Sequence, residues 1–285
     1  MYRKPTFKSN LIRHIIIWLV LIFALFPIVW IMSASLNPIN TLVGQNLIPD
    51  NFSLENYRKL LNSPQHPFLI WMWNSIKIAL ITSVLVVGMT ALAAYAFSRF
   101  RFTGRRKGLF IILLIQDFPQ MLAMVAIYLL FLEIQKVIPA VGLNTHTAVI
   151  ITYLGGAVGV NTWLMKGYLD TIPRSLEEAA YIDGASRFQA FYKIILPLSR
   201  PILAVLFVLQ FIGSYSEYIL ARILLTSSEK FTLPVGMFMF IVDQYGQRWG
   251  IFAAGALMGA IPIVIFFFLS QQHMVSGLSR GAVKE

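Results

Sequence analysis

The sequence contains no cysteine, and only 12% of its 285 residues are charged. The absence of cysteine excludes both a disulfide framework and thiol chemistry. The low charge is accompanied by 58% hydrophobic residues and a mean hydropathy of +0.72, values outside the range of soluble domains. We therefore expect an all-α protein that resides in the lipid bilayer.

The short motifs of the common enzyme classes are also missing. The sequence has no G-x-x-x-x-G-K-S/T loop for binding the phosphates of ATP and no H-E-x-x-H pair of zinc ligands. Asp183-Gly184 begins a stretch similar to the D-G-x-x-A-R motif of membrane alcohol phosphotransferases, but the arginine comes one position early. The four histidines are scattered. We therefore expect no catalytic residue, no metal site and no cofactor in this chain.

Six apolar segments are long enough to cross a bilayer, for which a helix needs roughly 20 mostly apolar residues. A cleaved signal peptide is an alternative for the first segment, but its apolar run is too long, and we prefer a retained anchor. We divide the chain into an N-terminal segment, first helix and outer loop (1–70), a transmembrane domain (71–272) and a tail (273–285). The six predicted spans cover 15–32, 71–97, 109–132, 148–165, 201–220 and 249–270.

Lysine and arginine are distributed unevenly among the predicted loops. The N-terminal segment, loops 98–107 and 166–200 and the tail hold 16 of the 23 Lys and Arg residues, and the intervening loops hold six. Short loops rich in these residues remain cytoplasmic. We expect a multi-pass protein of the cell (inner) membrane with both termini and the 166–200 loop in the cytoplasm. This bias, with anionic lipid headgroups, explains the net charge of +11, so no nucleic-acid partner is predicted.

The 166–200 loop is a long polar interruption in this apolar chain. Pro173 ends the preceding run, and Ser175 with Glu178 three positions later predicts a capping box at the start of a short helix. Gly184 then permits a bend. A second helix places its apolar residues on one face: Phe188, Phe191, Ile194 and Ile195. From periodicity alone, an amphipathic hairpin on lipid headgroups and a docking surface for a protein are equally good interpretations.

The same loop carries a motif of distinctive spacing. Glu178-Ala179-Ala180 is followed after three residues by Gly184 and after nine more by Ile194-Ile195-Leu196-Pro197. This spacing resembles the signature of the membrane subunits of binding-protein-dependent ABC importers. The resemblance implies a coupling helix seated in a cleft of the ATP-hydrolysing subunit. The residues it implies at this contact are Glu177, Glu178, Ala179, Ala180, Asp183, Gly184, Leu196 and Pro197.

Further segments, from about residue 71 to the C-terminus, resemble the maltose and maltodextrin branch of that family. They include Trp73-Asn74-Ser75, Ala94 to Arg99, Gly142 to His146 and Gly277 to Lys284. The resemblance implies a homologous membrane subunit, an ATP-binding subunit dimer that binds ATP and Mg²⁺, and an extracytoplasmic sugar-binding protein as partners. It also implies that the tail contacts the ATPase through Gly281 and Lys284, although a frayed terminus is the commoner structural outcome. The coupling motif does not indicate which substrate is transported. A permease for another sugar or for glycerol phosphate is therefore the near alternative.

Polar residues inside the spans are costly in hydrocarbon unless they face water or a partner. The candidates for a hydrated translocation path are Asp117, Glu217, Tyr215 and Tyr218. The alternatives are carboxylates that pair with basic groups at a subunit interface and tyrosines that anchor the chain at the membrane surface. An ion-coupled secondary transporter with broken helices is the rival mechanism.

The outer loop between spans five and six is polar. In the maltose branch the corresponding loop reaches toward the sugar-binding protein, and an ordinary turn is the alternative. The residues implied at that contact are Gln244, Tyr245, Gln247 and Trp249.

Overall fold

The structure is a computed structural model that describes residues 7–38, 46–49, 51–116, 120–242 and 248–282. Every regular element within these residues is helical, which confirms the predicted all-α class. The α-helices are α1 (Phe7–Leu36), α2 (Glu55–Leu61), α3 (Phe68–Arg99), α4 (Arg105–Gln116), α5 (Gln120–Val137), α6 (His146–Asp170), α7 (Ser175–Ile182), α8 (Arg187–Ala190), α9 (Leu196–Leu198), α10 (Arg200–Ser216), α11 (Ile219–Leu224), α12 (Leu233–Val242) and α13 (Trp249–Ala282).

Four of the described helices are long and apolar enough to cross a membrane. The apolar stretches are Asn10–Leu36 within α1, Phe68–Arg99, His146–Asp170, and Trp249–Gln272 within α13. Two pairs of shorter helices raise the number to six if each bent pair is one span. The pairs are α4 with α5, and the helical stretch Arg187–Leu198 with α10. The predicted number of spans equals this upper value.

The predicted span over 201–220 is interrupted near its end, because α10 ends at Ser216 and α11 begins at Ile219. The backbone of Glu217 is extended at the break, with φ −69° and ψ 130°. Its carboxylate accepts hydrogen bonds from the backbone N–H groups of Leu220 at 2.7 Å and Ala221 at 3.0 Å. The first N–H groups of a helix have no partner within it, so the side chain of Glu217 supplies one.

The chain divides into two compact units. The first comprises Met1–Phe68 and Gly236–Ala260, and the second comprises Leu69–Val235 and Ile261–Glu285. The 166–200 loop and Glu217 both belong to the second unit. The second unit therefore contains the candidate site.

In the first unit, hydrogen bonds connect α2 to the end of α1. The buried amide of Asn56 donates to the carbonyl oxygens of Ser35 at 3.0 Å and Asn37 at 2.7 Å. The hydroxyls of Tyr57 and Ser35 lie 2.9 Å apart. The two bonds from the Asn56 amide supply partners for carbonyl groups at the end of α1.

In the second unit, the segment between α11 and α12 is held by side chains from α3 and from the turn before α6. The Asn74 amide donates to the carbonyl oxygens of Glu229 at 2.9 Å and Phe231 at 3.0 Å. Asn144 adopts a φ of +56°, and its Oδ1 accepts from the backbone N–H groups of Thr226 and Ser227 at 3.1 Å each. Asparagine tolerates this left-handed conformation better than most residues. Two of the segments quoted above, 73–75 and 142–146, thus fix this connection.

Candidate functional site

The 166–200 loop forms short helices that meet at a bend, and we call residues 175–198 the elbow. After α7, Gly184 turns the chain with a φ of +82° before α8 begins. L side chains avoid this left-handed conformation, whereas glycine adopts it readily. A Cβ at Gly184 would meet no described atom within 4 Å, so the requirement for glycine comes from the backbone.

The predicted capping box of Ser175 and Glu178 is wrong. Arg174 occupies the N-cap position of α7, Ser175 already lies inside the helix, and no side-chain cap is found there among the described residues. A capping box instead begins α8. Ser186 Oγ accepts from the backbone N–H of Gln189 at 3.2 Å, and Gln189 Oε1 accepts from that of Ser186 at 2.7 Å. The capping box therefore belongs to the start of α8 and not to the start of α7.

The residues predicted at the ATPase contact lie in three environments. Glu177 is buried, with 3% of its surface exposed, whereas its neighbour Glu178 is exposed. Ala180 and Leu196 are half-buried. The other four are exposed: Ala179, Asp183, Gly184 and Pro197. We call the exposed residues Glu178, Ala179, Asp183, Gly184 and Pro197 the outward surface of the elbow, and Glu177 does not belong to it.

Two large apolar side chains extend this outward surface. Ile182 is 87% exposed and Phe188 is 69% exposed. The four apolar residues predicted to share one face differ in burial: Phe191 and Ile195 are buried, Ile194 is half-buried and Phe188 is exposed. A π-helical turn over Phe191–Ile195 widens the helix after α8, which shifts the register of the side chains. The apolar spacing was visible in the sequence, but the π turn was not.

Glu177 is bonded on both carboxylate oxygens by α3. The hydroxyl of Tyr95 donates to Oε1 at 2.8 Å, and Arg99 Nε donates to Oε2. Arg99 also donates through Nη2 to the carbonyl oxygen of Ile172 at 3.0 Å. The side chains of Arg99 and Glu177 are 8% and 4% exposed, so this ion pair is almost entirely out of water.

An apolar cluster lies beside this pair. Tyr95 packs against Phe191 with ring centroids 4.8 Å apart, and the guanidinium of Arg187 lies 5.4 Å from the ring centroid of Phe100. The buried members of the cluster are Ala91, Ala94, Tyr95, Met165, Leu169, Ile172, Phe191, Ile195 and Leu206. The inner face of the elbow is therefore packed against α3, α6 and α10.

A cavity of about 410 Å³ whose lining includes several polar side chains lies elsewhere in the second unit, and we call it the polar cavity. Glu217 lines it, and the hydroxyl of Tyr153 donates to Glu217 Oε2 at 2.5 Å. Of the other predicted path residues, Tyr215 is buried and stacks on Phe211 with centroids 5.7 Å apart, and Tyr218 is half-buried. Sequence reasoning missed further polar lining residues, although polar side chains within apolar spans are a visible signal: Gln116, Asn161, Gln210 and Ser214.

Gln116 is inserted into a turn of α6. Its Nε2 donates to the carbonyl oxygen of Gly156 at 2.6 Å, and its Oε1 accepts from the backbone N–H of Val160 at 2.7 Å. These two backbone groups are partners in a regular helix. A Cβ at Gly159 would lie 2.7 Å from Cδ of Gln116, so the absence of a side chain at Gly159 makes room for the amide.

Several predicted site residues lie outside the described part of the chain: Asp117, Gln244, Tyr245, Gln247 and Lys284. Trp249 is the first residue of α13, and its ring makes an edge contact with Phe252 at 6.0 Å. Gly281 is helical, since α13 continues to Ala282. Among the described residues, no group of three or more His, Asp or Glu side chains lies close enough together to hold a metal ion.

Residues 89–279 match the protein family described as "Binding-protein-dependent transport system inner membrane component". The chain is 44% identical over 282 residues to the maltose/maltodextrin transport system permease protein MalG of Vibrio vulnificus (strain YJ016), covering 95% of this chain and 94% of the relative. It is 42% identical over 296 residues to MalG of Escherichia coli (strain K12), covering 100% and 99%. The fold is similar to the crystal structure of a bacterial ABC transporter involved in the import of the acidic polysaccharide alginate. That match has a TM-score of 0.74 and 26% identity, and it covers 95% of this chain and 98% of the other.

Proposed function

Because the chain belongs to the family of binding-protein-dependent transport system inner membrane components, we propose that it is a permease subunit of an ATP-driven importer for maltose and maltodextrin. The observation that carries this proposal is the similarity to MalG proteins along nearly the whole chain. The subunit forms part of the translocation pathway and pairs with a homologous membrane subunit. It lies in the cell (inner) membrane with both termini in the cytoplasm, an orientation that the distribution of Lys and Arg supports.

In this proposal the outward surface of the elbow docks on the ATP-binding subunit dimer. Glu178 and Asp183 supply charge at this surface, and Ile182 and Phe188 supply apolar area. Buried apolar anchors ringed by polar groups are typical of protein interfaces. ATP and Mg²⁺ bind to the partner dimer, since this chain lacks a phosphate-binding loop.

The polar cavity is the part of this chain that best fits a translocation path. Polar side chains inside membrane spans are expensive unless they meet water or a partner, and Glu217, Asn161 and Gln210 all line this space. Hydroxyl and amide groups suit the hydroxyl-rich surface of a neutral sugar. An extracytoplasmic sugar-binding protein delivers that sugar, and Trp249, the first residue of α13, is a proposed contact for it.

A different oligosaccharide is the second candidate cargo. The similar solved transporter imports an acidic polysaccharide. The one ionisable carboxylate in the described lining of the cavity, Glu217, would repel a chain of uronic acids. This charge favours a neutral maltodextrin over a polyanion.

The test is reconstitution of the chain with its co-expressed neighbours in proteoliposomes. We expect an ATPase and a sugar-binding protein to accompany it, and maltodextrin with that binding protein to stimulate ATP hydrolysis and uptake. Collapse of the ion gradient with ATP maintained separates the mechanisms, because it halts an ion-coupled transporter and spares an ATP-driven one. Stimulation by alginate oligosaccharides instead of maltodextrin would reject the proposed cargo.

A further inference from the structure

Adjacent carboxylates at the start of α7 lie in opposite surroundings. Glu178 is exposed on the outward surface of the elbow, whereas only 3% of the surface of Glu177 is exposed. A docking partner that covers the outward surface reaches Glu178. Glu177 faces inward, so its function depends on the residues to which it is hydrogen-bonded within this chain.

Both oxygens of Glu177 are bonded by one face of α3. Tyr95 and Arg99 are four residues apart, which places them one above the other on the same side of the helix. The tyrosine hydroxyl donates to Oε1 at 2.8 Å, and the guanidinium donates to Oε2. Two donors on two oxygens restrict rotation of the carboxylate as well as its distance from α3.

Two arginines form hydrogen bonds between the end of α3 and the segment that leads into α7, one in each direction. Arg99 of α3 donates to the carbonyl oxygen of Ile172, in the turn before α7, at 3.0 Å. Arg174, at the N-cap of α7, donates to the carbonyl oxygen of Ser98 at 3.1 Å. Hydrogen bonds donated from both sides therefore connect the turn before the elbow to the end of α3.

The same end of α3 is also bonded to α6. Ser98 Oγ donates to Asp170 Oδ1 at 2.6 Å, and Lys166 Nζ lies 2.5 Å from Asp170 Oδ2. Asp170 is the last residue of α6. One residue pair on α3, Ser98 and Arg99, thus holds both the end of α6 and the start of α7.

Stability alone is a weak reason for a buried ion pair. Removing two charges from water is costly, and well-packed apolar residues in their place are often neutral or stabilising for folding. Apolar packing is non-directional, so it lets a short helix turn or slide. Hydrogen-bonded charges in fixed geometry oppose that movement. This difference points to orientation as the function of the pair.

We infer that Glu177, Arg99 and Tyr95 are positioning residues that lock the elbow to α3. A force applied at Glu178 and Ile182 then displaces α3 with α7, and α7 does not turn in place. This inference rests on the proposed function, in which ATP hydrolysis in a partner drives the elbow. It assigns to Glu177 an internal role and not a contact with the ATPase.

The test measures the number of ATP molecules hydrolysed per maltodextrin imported by the complete complex in proteoliposomes. Loss of folded complexes lowers hydrolysis and uptake in equal proportion, so a purely structural role leaves this ratio unchanged. The double variant Arg99→Met with Glu177→Leu replaces the ion pair by apolar side chains. We expect it to assemble and to raise the ratio by roughly fivefold, the size of a modest coupling between sites.

Tyr95→Phe is the minimal variant, because it removes one hydroxyl, and we expect a smaller rise in the same ratio. Lys136→Met is the matched control, since Lys136 forms an exposed ion pair with Glu133 at 2.6 Å on α5, and we expect the wild-type ratio there. A wild-type ratio in the assembled double variant overturns the inference. If the double variant does not assemble, a wild-type ratio in Tyr95→Phe overturns it. Failure of the wild-type complex to import maltodextrin with ATP would instead reject the proposed function.

Discussion

The hydroxyl of Tyr153 donates to Oε2 of Glu217 at 2.5 Å and so joins α6 to the break between α10 and α11. The same carboxylate accepts from the backbone N–H groups of Leu220 and Ala221 at the start of α11. One side chain therefore connects three elements of the second unit. The carboxylate of Glu217 therefore stabilises the break between α10 and α11.

Replacement of Glu217 by alanine should lower the stability of the purified complex, because α11 loses its cap. We expect a loss of about 1–2 kcal/mol, the upper part of the range for capping side chains, and a lower midpoint of thermal unfolding. Glu217→Gln keeps an acceptor oxygen and should lose less. Glu133→Ala, which removes an exposed partner of Lys136, should stay within about 0.5 kcal/mol of wild type. Equal losses in Glu217→Ala and Glu133→Ala would contradict the capping role.

The glycines of α6 provide a matched pair of substitutions. A Cβ at Gly159 would lie 2.7 Å from Cδ of Gln116, whereas one at Gly155 meets no described atom within 4 Å. Gly159→Ala should therefore destabilise the complex by about 1–3 kcal/mol through overpacking, and Gly155→Ala should be neutral or slightly stabilising. Gln116→Ala should relieve part of the clash when combined with Gly159→Ala, because Cγ2 of Ile112 would also lie 2.9 Å from the added Cβ. Equal unfolding temperatures of Gly159→Ala and Gly155→Ala would contradict the insertion of Gln116 into α6.

The sequence predicts the helices and the bend well, because both depend on local features. Apolar length predicts α1, α3, α6 and α13, and the fixed spacing to Gly184 predicts the turn that its positive φ then requires. The difference between Glu177 and Glu178 could not be predicted. Which of two neighbouring carboxylates faces inward depends on Tyr95 and Arg99, about eighty residues earlier in the chain.

The interruptions of the helices within the spans were harder to predict from the sequence. The break at Glu217 lies in a run whose apolar pattern continues into α11, and a glutamate is an uncommon cap, so local sequence favours a continuous helix. The insertion of Gln116 between Gly156 and Val160 joins residues 40 and 44 positions apart. Only the packing of α4 against α6 brings them together.

Substitution of Gly184 should separate effects on coupling from effects on helix stability. Gly184→Ala must adopt a φ near +82° and should cost about 1–2 kcal/mol. Gly184→Pro cannot adopt that angle at all, and we expect ATP hydrolysis to continue while maltodextrin uptake falls. Gly167→Ala, at an open helical position in α6, is the control and should behave as wild type. Unchanged uptake in a well-folded Gly184→Pro complex would count against the role of the bend.

Charge reversal on the outward surface of the elbow should weaken ATPase binding without unfolding the chain. Glu178→Lys is an exposed change, so the stability of the isolated membrane subunits should stay within about 0.5 kcal/mol of wild type. Removal of a contact at the centre of an interface costs about 1–2 kcal/mol or more, so the Kd of the ATP-binding subunit should rise roughly tenfold. Titration of that subunit onto the membrane subunits measures it. A Kd equal to that of Glu133→Lys would exclude Glu178 from the interface.

The central claim, that the elbow docks on an ATP-hydrolysing partner, is tested most directly by site-specific cross-linking. The chain has no cysteine, so Ile182→Cys introduces its single thiol at a position that is 87% exposed. A photoreactive group on that thiol in the complete complex should cross-link to the ATP-binding subunit, whereas the same group at Val137→Cys, 81% exposed on α5, should not. Cross-links from position 182 to lipid alone, with and without ATP, would contradict the account.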